Sequence, residues 1–161
     1  MPESLTLDTN ILLEYWKEQP KRAVVERLLD LARAGRVELA VTARIREDVP
    51  SDPLASEINR IAELGVTEGP SITRLGSWVL GRDMLASDAF AEAQTELSAA
   101  LASKGHKPPD WRDWDHLHSH FLQQRDVYLT WDQRVLDVRT DLLDRFGIKV
   151  MPPEEYLAPF D

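Results

Sequence analysis

The sequence predicts an α/β protein, a parallel sheet carrying helices on both faces. Three observations point there. Short apolar runs that read as strands alternate with amphipathic helical stretches. The connections between the runs are long enough to hold a helix. Turn and cap chemistry, at Gly35, Pro50 and Gly147 among others, punctuates the boundaries. The chain has 161 residues and no linker, repeat or low-complexity tract, so one domain over 1–161 is expected.

The elements follow in order. Residues 4–7, "SLTL", read as a strand, and 9–18 as a short helix with Thr9 as its N-cap. Pro20 opens a second helix. Its Val24, Val25, Leu28, Leu29 and Ala32 share one stripe, and Gly35 stops it. "RVELAV", 36–41, is a second strand. Thr42 then caps "TARIREDV", which Pro50 ends. "SDPLASEINRIAEL", 51–64, reads as a helix with Ser51 as cap and Pro53 in its first turn. A turn-rich stretch holds a short strand at 66–67. The pattern from 72 is indistinct until "DAFAEAQTELSAALASK", a helix over 88–104. "GHKPPD" is a loop. A helix follows from Asp110 or Trp111 to about Gln124, with Trp114, Leu117, Phe121 and Leu122 on one side. "DVYLT" is a strand, 132–146 a helix closed by Gly147, "IKVM" a last strand and "PPEEYL" a short helix.

Composition narrows the function classes. With no Cys, thiolate and disulfide chemistry are excluded. No apolar run approaches the ~20 residues a membrane span needs. The N-terminus lacks the pattern of a signal peptide, and a cytoplasmic protein is expected, with no membrane partner. The net charge of −9 speaks against a broad phosphate-binding surface. Acids gathered at one place, however, bind cations, and a bound cation inverts the local field. Of the 19 basic residues 14 are Arg, the side chain suited to forked phosphate contacts, so nucleic acid stays open as a partner.

In open parallel sheets, ligands bind beyond the carboxyl ends of the strands. Asp8, Thr9 and Asn10 follow the first strand. Glu47 and Asp48 lie about two turns beyond Thr42, after the second. Asp132 follows Thr130 by two residues. The helix before "DVYLT" must run back across the sheet, which brings Asp110, Asp113 and Asp115 at its start to the same edge. The helix dipole there favours negative charge. Carboxylates so packed raise one another's pKa unless cations offset them. All-oxygen ligands suit Mg²⁺ or Mn²⁺, and such ions activate water and clamp a phosphodiester. Thr9, Asn10 and Thr130 are placed to support the acids by hydrogen bonds.

These segments resemble the PIN domain: "LDTN" after a first strand, a threonine-led acidic stretch after a second, and "DWDHLHSHFLQQRDVYLTWD", with its acid before a helix and its T-x-D strand end. Residues 52–108 carry no diagnostic match. The resemblance implies a three-layer α/β/α fold, with a central parallel sheet of four or five strands. It implies a Mg²⁺- or Mn²⁺-dependent nuclease, most often acting on RNA. Many relatives are toxins of bacterial toxin–antitoxin pairs of the VapC type, so an antitoxin protein and a homodimer are expected partners. By position Asp8 matches the first family acid and Asp132 the last. Asp113 best fits the third, with Asp115 close behind. Ile45 stands where the second acid usually falls, so Glu47 is taken in its place, narrowly over Asp48. The site is therefore read as Asp8, Glu47, Asp113 and Asp132, with Asp115 a further metal ligand and Thr9, Asn10, Thr130 and Asp48 in support.

Plainer readings accompany each of these. Asp8 and Asp132 are also where helix N-caps fall, and Asp110 is best read as a cap alone. Glu154 and Glu155 read as a solvated helical first turn. His116 and His120 share a helix face but lack the context of a zinc motif. Trp111, Trp114 and Trp131 either stack on bases or pack under the sheet edge. Arg44 and Arg46 either contact phosphate or pair with acids. Two other functions compete: a non-catalytic PIN-like binding module, favoured by the displaced second acid, and a phosphoaspartyl phosphatase, disfavoured because Asn10 replaces the second acid of that motif.

Overall fold

The computed structural model describes residues 1–18, 20–49, 54–73, 83–85, 88–107 and 110–160. Five parallel strands form the central sheet: β1 (Glu3–Leu7), β2 (Val37–Thr42), β3 (Val66–Gly69), β6 (Val127–Leu129) and β7 (Lys149–Met151), in the spatial order β3-β2-β1-β6-β7. The fold class read from the sequence is thus the fold of the chain. Between β3 and β6 in sequence come β4 (Ser71–Thr73) and β5 (Asp83–Leu85). They pair in parallel as a separate small sheet that the sequence did not reveal.

Period-two alternation sends side chains of each strand to two different layers. Leu5, Leu7, Val37, Leu39, Val41, Val127, Leu129 and Met151 join one buried core. There they meet α1 (Thr9–Trp16), α2 (Arg22–Arg33) and α9 (Pro153–Leu157). Tyr128 and Val150 join the other, with α5 (Asp88–Ser103), α6 (Trp111–Leu122) and α8 (Arg139–Phe146). The stripe predicted on α2 is the one that packs: Val25, Leu28 and Leu29 are fully buried. Each such side chain contributes about 1.5–3 kcal/mol by leaving water. After α2 the chain reverses at Gly35, whose φ of +68° suits a residue without Cβ, and Arg36 N–H donates to Leu31 O at 3.0 Å.

Several boundaries differ from the sequence reading. Thr9 does not cap α1; it is the first helical residue, and Asp8 holds the cap position. Pro20 precedes α2 by two residues. Thr42 ends β2 rather than capping a helix, and its hydroxyl pairs with a histidine instead. The acidic helix after β2 shrinks to α3 (Ile45–Asp48). The predicted helix over 51–64 divides into α4 (Leu54–Ile58) and a 3₁₀ turn at Ile61–Leu64; Ser51 and Pro53 lie outside the described residues. The predicted helix over 132–146 breaks into α7 (Gln133–Leu136) and α8, because the turn at Asp137 and Val138 keeps Val135, Val138 and Leu142 all on the core side. Among the described residues no helix is long and apolar enough to cross a membrane.

Sheet order fixes where a ligand can bind. From β1 the chain builds outward through β2 to β3, then returns to the other side of β1 for β6 and β7. Flanking crossovers lie in different layers, α1 and α2 in one core and α7 and α8 in the other. The carboxyl ends of β1 and β6 therefore diverge into a crevice, the switch point of an open α/β sheet.

Candidate functional site

Asp8 and Thr130 stand at that crevice. Asp8 N–H donates to Leu129 O at 3.0 Å, which fastens the end of β1 to β6. Although Asp8 holds the cap position of α1, its carboxylate makes no capping bond. It turns instead to Thr130, whose hydroxyl donates to Oδ2 at 2.6 Å, and to Asn10, whose Nδ2 donates to the same oxygen at 3.0 Å. The cap explanation of this acid is therefore removed by geometry. Thr130 Oγ1 also accepts from Asp132 N–H at 2.9 Å, so one hydroxyl links the first and last acids. Asn10 Oδ1 is buried beside them with no hydrogen-bond partner among the described residues.

Asp132 does cap: its Oδ1 accepts from Arg134 N–H at 2.9 Å, at the start of α7. Asp113 is tied into a capping box at the start of α6. Asp110 Oδ1 accepts from the amides of Arg112 and Asp113, while Asp113 Oδ2 accepts from Asp110 N–H at 3.0 Å. Asp110 thus has the capping role expected of it. One side chain not anticipated from the sequence joins the two later acids: Arg134 Nη2 reaches Asp132 Oδ2 at 2.5 Å and Asp113 Oδ2 at 3.1 Å.

At the second acid the structure separates the two candidates. Asp48 Oδ2 accepts from Thr9 Oγ1 at 2.9 Å and pairs with His116 Nε2 at 2.6 Å, and its side chain is 19% exposed. Glu47, favoured from the sequence, is 49% exposed and pairs with Arg44 at 3.0 Å. The short helix explains the exchange. With α3 starting at Ile45 and not at Thr42, Asp48 comes round toward α1 and α6 while Glu47 faces outward. Asp115 also stands apart. Two residues from Asp113, it is rotated roughly 200° around the helix. It is buried 3.9 Å from Arg44. Arg46 pairs with Glu68 and Asn59.

All three histidines of "HLHSH" are buried. His116 Nδ1 lies 2.5 Å from Thr42 Oγ1, which locks the ring between β2 and Asp48. His118 stacks on Phe90, and His120 pairs through Nδ1 with Thr6 at 2.8 Å. Trp114 is in the core; Trp131 sits under Lys21, 4.5 Å from the ring, and donates to Glu154 at 2.7 Å. The Trp111 side chain lies outside the described residues. Lys21, Glu154 and Trp131 thus form a surface group at the site's edge, so Glu154 is more than a solvated helical residue.

The electrostatics follow from this packing. Burial pushes the Asp8 carboxyl up and Asp132 adds to the rise, against the opposing pull of His116 and the Thr130 hydroxyl. Burial likewise raises Asp113, helped by Asp110 and opposed by Arg134. Asp48 would also be raised by burial, but its bond to His116 holds it below the usual range. Burial would lower His116; the Asp48 bond and the charges of Asp8 and Asp113 overcome this and raise it. The hydrogen bond to Asp132 raises Arg134 further still. Carboxyls pushed up by crowding and desolvation are those a cation would relieve.

The central parallel sheet with helices on both faces is a PIN-like three-layer α/β/α fold. In sequence, no family model and no curated protein matches the chain. In three dimensions it is similar to VapBC-1 from nontypeable Haemophilus influenzae, with a TM-score of 0.53 and 16% identity over 93% of this chain and 98% of that one. VapBC2 from Rickettsia felis, bound to a DNA fragment from their promoter, gives 0.49 and 13% over 92% and 98%. FitAcB from Neisseria gonorrhoeae gives 0.49 and 15% over 92% and 97%. The likeness to VapBC-1 is one of fold, and it is the fold implied by the motifs.

Proposed function

We propose that the chain is a divalent-metal-dependent nuclease acting on RNA, with Asp8, Asp48, Asp113 and Asp132 as its site. One observation carries this reading: four separate segments deliver carboxylates to the switch point, and Asp8, the acid with the readiest alternative explanation, does not cap its helix. The donor set fits Mg²⁺ or Mn²⁺, being all oxygen, and Asn10 Oδ1 is a further buried acceptor at the same place. When bound, such an ion activates water and offsets charge on a phosphodiester.

The chain's own residues do the rest. Thr130 and Asn10 aim Asp8 from one side. Thr9 and His116 hold Asp48 from the other. The N-terminus of α6 steadies Asp113 by its dipole and its capping box. RNA as substrate, an antitoxin protein as partner and a homodimeric state extend this proposal on the strength of the motif resemblance.

The test is cleavage of RNA by purified protein with Mg²⁺ or Mn²⁺. Asp8→Asn is expected to lower the rate at least a hundredfold, with Glu47→Ala close to wild type. Metal-dependent cleavage that survives Asp8→Asn overturns the assignment. A binding module without activity is the competing function, and the Arg134 bridge across Asp113 and Asp132 is the observation in its favour.

A further inference from the structure

Arg134 occupies the position a cation would be expected to take. Its Nε donates to Asp132 Oδ1 at 2.9 Å and its Nη2 to Oδ2 at 2.5 Å, a fork that uses both oxygens. The same Nη2 continues to Asp113 Oδ2 at 3.1 Å. The acid after β6 and the acid at the start of α6 are thus joined by a single guanidinium. Local sequence produces the fork, since an N-cap Asp followed two residues later by Arg lets the side chain fold back onto the capping carboxylate.

Counting charge across the site shows what this does. Asp48 is paired with His116, and Asp113 and Asp132 share Arg134. Asp8 has hydroxyl and amide donors from Thr130 and Asn10. Among the described residues no three acid or histidine side chains are grouped as a ready ion cage. Guanidinium and divalent ion would have to share the oxygens of Asp132, and in a half-buried setting their mutual repulsion is weakly screened. Arg134 also has a way out. Its side chain is 32% exposed, and α7 is only four residues long, so the guanidinium can turn into solvent while the Arg134 amide keeps capping Asp132.

We propose that Arg134 is a built-in counter-ion that holds the ion-free site together and competes with the divalent cation, so that it must leave Asp132 and Asp113 for the cation to bind. This rests on the reading of the acids as a metal site. Arg134 is then a positioning residue of the empty site and a determinant of metal affinity, not a ligand. Bound cation frees the guanidinium on the solvent side of the acids, where the phosphate of a substrate would approach.

Calorimetric titration of MnCl₂ into wild type, Arg134→Gln, Arg134→Lys and Asp8→Asn tests this directly, with circular dichroism to establish folding. Arg134→Gln is expected to bind Mn²⁺ about tenfold or more tightly than wild type. Arg134→Lys, which keeps a charge but loses the fork, should fall between them and covers the case in which Gln does not fold. Saturating Mn²⁺ should erase any difference in thermal stability between wild type and Arg134→Gln. Wild-type binding that depends on Asp8 but is equal or tighter than in folded Arg134→Gln overturns this proposal alone. No binding by any variant at millimolar Mn²⁺ overturns the metal site and this proposal with it.

Discussion

Asp8 and Asp48 show how a single side chain's bonds decide between a structural and a chemical role. An acid after a strand is commonly a cap, but the Asp8 carboxylate is held by Thr130 and Asn10 and leaves its helix uncapped. Its desolvation costs stability in the ion-free protein. Asp8→Asn should therefore raise the melting temperature at neutral pH by a few degrees, corresponding to about 1 kcal/mol, while removing Mn²⁺-dependent stabilisation; a lower melting temperature without metal would contradict the burial argument. His120 gives a separate test. Burial pushes it down to about 3, with Arg125 adding to the effect. Its folded pKa is thus below the unfolded value of about 6.5, so the stability it confers as a neutral ring is complete above pH 6.5 and drains as pH falls toward 3. Urea unfolding should show a loss approaching about 1.4 kcal/mol per pH unit from this group between about pH 6 and 4. His120→Gln should have a correspondingly flatter profile, and an unchanged slope would show that the ring is not buried neutral.

At the scale of elements, the acids are positioned by helix starts and strand ends. Asp110 caps α6 and orders Asp113 through the capping box. Asp110→Ala should cost about 1 kcal/mol of stability in chemical denaturation. It should also weaken Mn²⁺ binding, since the Arg112 and Asp113 amides lose their acceptor and the start of α6 that carries Asp113 is held less firmly; a stability loss with unaltered affinity would place Asp113 outside the site. Element boundaries also explain what the sequence could not yield. Asp8, Thr130 and Asp132 could be placed at the sheet edge because each adjoins an apolar run whose end is marked, and Asp113 because its helix must run back across the sheet. Between Glu47 and Asp48 the sequence reading had the helix start at Thr42; it starts at Ile45, and that shift of three residues leaves Asp48 facing inward and Glu47 outward. Thr42 itself was legible only as a cap, since its partner His116 is 74 positions away. Arg134 left a faint local signal, an Arg two residues after a capping Asp, whose meaning depends on the distant Asp113.

For the whole molecule, alternation of strands and helices was enough to predict the parallel sheet and its two helical layers. The strand order was not, because it depends on which edge each crossover reaches. The small sheet of β4 and β5 was missed because the pattern from 72 is indistinct and lacks the bounded apolar runs, "DVYLT" and "IKVM", that marked β6 and β7. The net charge of −9 takes a different meaning in the folded protein. Many surface acids are paired locally, as Glu18 and Glu26 are with Arg22 and Glu155 is with Arg139. The acids of the crevice are compensated only in part, by His116 and Arg134. Cation binding should therefore stabilise the fold: saturating Mn²⁺ at a hundredfold excess over its Kd should add about 2.7 kcal/mol, absent from Asp8→Asn. The most direct test of the central claim is a crystal structure grown with Mn²⁺ and read at the manganese absorption edge. The account predicts one anomalous peak at the ends of β1 and β6, in contact with carboxylate oxygens of Asp8 and Asp132, with Arg134 turned away. A crevice without a peak, with the guanidinium still bridging Asp113 and Asp132, would contradict it.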